Sequence, residues 1–85
     1  HGNRLNIFPA NELFPEGSLL EMHLNELCQN GFKIVLKSHD KENNDIFDLF
    51  LRTFDDGGVT YYRVFLFSKD GRIVKSMASI TLGFY

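Results

Sequence analysis

Hydrophobic residues recur along this chain with two periods, first helical and then strand-like. Leu20, Leu24, Leu27 and Cys28 fall on one face at helical spacing, while Glu21, Asn25, Glu26 and Gln29 fall mostly elsewhere. Ser18, with Glu21 three residues on, has the form of a capping box, and Gly31 suits the residue just past a helix end. The pattern predicts a helix over residues 18–30. From residue 32 the period changes to two: Phe32, Ile34 and Leu36 alternate with Lys33, Val35 and Lys37, which predicts a strand.

Residues 46–54 and 59–68 form two further apolar runs, joined by Asp55-Asp56-Gly57-Gly58. Gly accepts the positive φ that tight hairpin turns need, so this stretch reads as a β-hairpin. Neither strand alternates apolar with polar. Phe47, Leu49 and Leu51 oppose Ile46, Phe50 and Phe54 in the first; Tyr62, Val64 and Leu66 oppose Tyr61, Phe65 and Phe67 in the second. A small sheet with one wet face should be polar on that face. Both faces of this hairpin therefore need cover.

Residues 40–45 are a polar loop, Lys69-Asp70-Gly71-Arg72 is a second tight turn, and residues 73–85 make a last strand with Val74, Ala78, Ile80, Leu82 and Phe84 as its more apolar set. One N-terminal helix followed by four strands in an antiparallel meander predicts an α+β two-layer fold. The helix is expected over Phe32, Ile34, Leu36, Leu49, Leu51, Val64 and Leu66. A partial barrel completed by a partner chain is the other form this topology can take. The whole chain reads as one small domain, 1–85, with 1–17 an irregular N-terminal segment and 32–85 the sheet. It begins with His1 rather than Met, which reads as a domain excised from a larger protein or a processed or tagged chain.

Composition narrows the classes of partner. Nine Phe and three Tyr in 85 residues give a globular chain rather than a disordered one. A net charge of −2 argues against general nucleic-acid binding, which needs excess Lys and Arg. The single cysteine, Cys28, excludes an internal disulfide, and no apolar run reaches the length of a membrane span.

Candidate chemistry is sparse. Ser38-His39-Asp40 has the residue types of a triad, but neighbours on a strand point to opposite faces and cannot converge. Cys28 on the apolar helix stripe reads as a small buried hydrophobe, with His23 at the edge of that stripe. The acidic loop 40–45 lacks the central Gly of a calcium-binding EF-hand, and Leu51 stands where that loop needs Glu. No catalytic residue, metal site or cofactor is expected, and the chain reads as a non-enzyme.

The constellation that stands out is the second sheet face. It is expected to carry Val35, Phe50, Phe54, Tyr61, Phe65, Phe67 and Met77, interleaved with Lys33, Lys37, Arg52, Arg63 and Lys75 against Asp48. An aromatic floor with basic edges suits another protein chain, with aromatics and Arg as anchors. It also suits an apolar or anionic amphipathic ligand, and, less well given the net charge, single-stranded nucleic acid. The last strand adds to this, because residues 77–85 carry no charge and edge strands normally do. Partner or ligand contacts are expected at Phe50, Arg52, Phe54, Tyr61, Arg63, Phe65, Phe67, Met77, Ile80 and Leu82. The other candidate cover is the N-terminal segment itself, through Leu5, Ile7, Phe8, Leu13 and Phe14. The expected function is a protein-interaction module, a sensory or assembly domain of a larger regulator whose sheet pairs with a partner subunit.

Overall fold

A computed structural model of the chain describes residues 10–83. After a single helical turn, α1 (Ala10–Leu13), come one full helix, α2 (Leu20–Gln29), and four strands, β1 (Lys33–His39), β2 (Asp45–Asp55), β3 (Gly58–Lys69) and β4 (Arg72–Gly83). The strands form one open antiparallel sheet in the order β1-β2-β3-β4, so consecutive strands are neighbours throughout. This is the α+β meander the hydrophobic periods predict; it is not a closed barrel. Phe84 and Tyr85, expected in the last strand, and Leu5, Ile7 and Phe8, expected as candidate cover, lie outside the described residues.

Helix α2 ends as expected and begins differently. Past its last turn, Gly31 stands at φ +101°, its N–H donating to the Cys28 carbonyl at 3.1 Å and that of Phe32 to the Leu27 carbonyl at 3.0 Å. These paired bonds satisfy two of the carbonyls every helix end leaves free, and the accompanying contact buries Phe32 and Leu27 in the core. At the other end the N-cap is Leu19 rather than Ser18, and no side chain caps the helix. The Leu20 N–H donates instead to the Gly71 carbonyl at 2.9 Å. Gly17 N–H to Ile73 O and Ile73 N–H to Ser18 O, both 2.8 Å, stitch the segment to the start of β4. A backbone carbonyl supplied by the turn between β3 and β4 thus replaces the expected capping box.

Ser18 is used elsewhere. Its hydroxyl donates to the Pro15 carbonyl and lies 2.8 Å from Nε2 of His23, so the hydroxyl proton is committed and the imidazole N–H donates to the oxygen. His23, expected at the edge of the helical stripe, is buried, and the Phe14 ring meets it edge-on with centroids 5.2 Å apart. Cys28, expected to be buried, is exposed. Of the expected stripe, Leu20 and Leu27 are buried and Leu24 packs against the core, while His23 takes the place expected of Cys28.

The core is one layer between α2 and the sheet: Phe14, Leu20, Leu27, Phe32, Phe47, Leu49, Val64, Leu66 and Ile73. Leu49, Val64 and Leu66 are fully inaccessible to solvent, and each such side chain contributes about 1.5–3 kcal/mol relative to exposure. Phe14 lies in this layer and Leu13 borders it, so neither covers the opposite face, as the N-terminal alternative would have required.

Two bulges reset the alternation. Ile34 pairs with Leu49 and Leu36 with Asp48, leaving Val35 without a partner. The extra residue carries Leu36 to the face away from the helix, where it is 59% exposed, and brings Lys37 to the helix side, 5.3 Å from the Phe47 ring centroid. Both residues therefore sit opposite to the faces the simple alternation assigns. In β4, Ser68 pairs with Ile73 and Phe67 with Lys75, which leaves Val74 unpaired and turns Ile73 into the core.

The two hairpin turns differ. Asp70 and Gly71 both have positive φ, 54° and 79°, the two-residue turn whose twist matches the strands. Between β2 and β3, Asp55 pairs with Gly58, and Gly57 is not left-handed; the Asp55 carboxylate accepts the Gly57 N–H at 3.1 Å instead. The glycine-driven turn expected there is an aspartate-driven one.

Candidate functional site

The face of the sheet turned away from α2 is built by the register of its two central strands. Phe50 pairs with Arg63, Arg52 with Tyr61, Asp48 with Phe65 and Ile46 with Phe67. Directly opposed residues share a face, so Phe50, Arg52, Phe54, Tyr61, Arg63, Phe65 and Phe67 all lie on it together. Met77 joins them opposite Phe65, and Lys75 opposite Phe67. Eight of the ten expected residues are thereby brought to one surface. Ile80 and Leu82 are not: they pair with Tyr62 and Thr60 and so lie on the helix side of β4.

Three of the rings each carry a cation. Arg52 lies over Phe54 with its guanidinium carbon 5.2 Å from the ring centroid, Arg63 over Phe65 at 5.2 Å, and Lys75 over Phe67 at 4.5 Å. Phe50 and Tyr61 stack on each other, centroids 5.8 Å apart and planes 30° apart. Each cation gains the attraction of the ring's negative face while its aliphatic stem covers part of the ring. Phe50, Tyr61, Phe65 and Phe67 are half-buried, while Phe54 and Met77 remain 61% and 52% exposed.

One carboxylate stands among these cations. Asp48 is buried and accepts two hydrogen bonds from Arg63, from Nε at 3.0 Å and from Nη2 at 2.6 Å. Hydrogen bonding to that carboxylate, reinforced by its charge, raises the Arg63 pKa further above its already high ordinary value. With Asp48 neutralised, Lys33, Arg52 and Lys75 leave the face positive on a chain whose net charge is −2. The acidic side chains gather instead on the helical layer, in the turns and in the loop 40–45. Helix α2 itself carries Glu21 and Glu26 and no Lys or Arg.

The remaining candidate groups are spent on structure. Asp40 accepts N–H groups from Asn44 at 2.9 Å and Glu42 at 3.0 Å, which holds its carboxyl below the ordinary 3.8 and closes the loop. Ser38 pairs with Ile46 and His39 with Asp45, which places the two on opposite faces. Among the described residues no group of three or more His, Cys, Asp and Glu could hold a metal ion. An apolar cleft of about 260 Å³, bounded by Leu13, Phe14, Leu27, Phe32, Leu51 and Tyr62, opens at the C-terminal end of α2. Sequence patterning missed it because it arises where a short helix ends over a longer sheet. Compared with family models, with curated proteins and with solved structures, the chain matches none.

Proposed function

We propose that this chain is a non-enzymatic protein-interaction module, a sensory or assembly part of a larger regulatory protein, whose sheet is completed by another protein chain. The observation that carries the reading is the row of cation-capped rings on a sheet face that no described helix covers. Arg and aromatic side chains are the residue types that anchor protein interfaces, because they bury much area and keep a directional polar group. The face is positive, so the partner surface that fits it carries carboxylates. An anionic amphipathic ligand on the same face is the second reading, favoured by the three cations poised over rings at the surface. The non-enzymatic reading rests on Ser38 and His39 facing apart and on Asp40 being committed to its loop.

A photo-activated cross-linker tests it when placed at Phe54 on the face and, as a control, at Met22 on α2, both at least 60% exposed. A cross-link from position 54 to a protein chain, absent from position 22 and abolished by Met77→Asp, is the expected result. Equal labelling from both positions, or a turnover reaction lost in a folded His39→Ala variant, would overturn it.

A further inference from the structure

The sheet has two edges, and they are guarded unequally. On β1 the chain bulges at Val35 and carries Lys33 and Lys37, both devices that block unwanted strand pairing. On β4 the first residues are already occupied, because Gly17, Ser18 and Leu20 bond to Gly71 and Ile73. Beyond Lys75 the edge changes character. Residues 76–83 contain no charge, no proline and no register shift, and although α1 packs against β4, no described backbone pairs with their outer side.

The side chains of the same stretch are also short of cover. Ile80 and Leu82 lie on the helix side of the sheet, yet Leu82 is 49% exposed and Ile80 only half-buried. The reason is length. Ten helical residues span about 15 Å and twelve strand residues about 40 Å, so α2 cannot reach the far end of β4.

We propose that the outer edge of β4 pairs antiparallel with β4 of a second copy of this chain, about a two-fold axis through Ile80. This rests on the interface reading above and names the partner at that edge. A two-fold axis normal to the sheet keeps each residue on its own face. Centred on Ile80, it sets Ile80 against its own symmetry mate and Ala78 against Leu82 on the helix side, and Ser79 against Thr81 and Met77 against Gly83 on the other. The helix side of the junction is wholly apolar, the two hydroxyls can bond each other, and no charge meets a like charge. The other ways of joining two copies fail on charge: β1 against β1 opposes lysines, and face against face opposes Lys33, Arg52 and Lys75 with their copies. The dimer carries one continuous eight-stranded sheet, and both aromatic faces lie on the same side of it, still open to an acidic partner.

The test uses the whole chain with Cys28→Ser, so that the exposed thiol does not interfere. Ile80→Cys should form a disulfide-linked dimer under mild oxidation at least tenfold faster than Leu36→Cys on the β1 edge. Light scattering should give a dimer mass for the parent chain, and Ile80→Lys, which sets like charges together at the axis, should weaken dimerisation at least tenfold while circular dichroism stays unchanged. A monomer at concentrations up to about 1 mM, or faster cross-linking through Leu36, overturns the proposal. If the position-54 cross-link to a different protein persists in that monomer, the interface reading survives and only the identity of the edge partner falls. If it too is absent, both fall.

Discussion

Arg63 reaches diagonally across the β2–β3 ladder to hold Asp48 by two hydrogen bonds, one member of the pair half exposed and the other sealed beneath it. The exposed partner is the one whose removal does harm. Arg63→Met keeps most of the apolar stem but leaves a buried carboxylate facing Leu36 and Phe65 without its counter-charge. A group desolvated and unpaired costs more than the pair itself contributes. Thermal melts should show Arg63→Met lowering Tm by on the order of 5–10 °C, a size usual for one such defect in a domain of this length. The double variant Asp48→Leu with Arg63→Met should recover much of that loss. Additive losses in the two single variants would show that the pair is not coupled.

Ser18 supports the fold through His23 rather than through a helix cap. Ser18→Ala should cost about 1–3 kcal/mol in denaturant melts, because it leaves the buried imidazole N–H without an acceptor. The effect should shrink in a His23→Phe background, where no imidazole remains to satisfy. An equal cost in both backgrounds would return Ser18 to a capping role.

Asp40 sets a pH dependence whose sign is fixed. Its carboxyl titrates below the ordinary 3.8 because its ionised form accepts the Asn44 N–H and further loop bonds. A group depressed in the folded state adds stability that is fully present above its unfolded pKa and is lost as pH falls through its folded one. The stability difference between the parent chain and Asp40→Ala should therefore be constant near neutral pH and shrink as the pH falls below the ordinary 3.8 and through the lowered folded-state value. A difference that grows on acidification would contradict the loop bonds described here.

Local chemistry alone settled a good part of this molecule. The period of 3.6 in α2, the period of 2 in the strands, Gly31 past the helix end and Asp70-Gly71 between β3 and β4 each act over a few residues. Their consequences are therefore visible in a short window of sequence. The shared face of Phe50, Arg52, Tyr61, Arg63, Phe65 and Phe67 follows as well, because β2 and β3 pair without a register shift.

What tertiary structure decided are the places where alternation breaks and where elements end against one another. The bulge at Val35 moves Leu36 and Lys37 to the other faces, and the one at Val74 puts Ile73 into the core; each is set by the partner strand, which a single strand's pattern does not contain. The start of α2 is bonded by a carbonyl from the β3–β4 turn, some fifty residues away in sequence, so the local Ser18–Glu21 signal was outcompeted by a bond it could not reveal. Leu82 is exposed, and an apolar cleft opens at Tyr62, for a related reason: the helix is shorter than the sheet it lies on, and only their packing fixes which residues lie beyond its end.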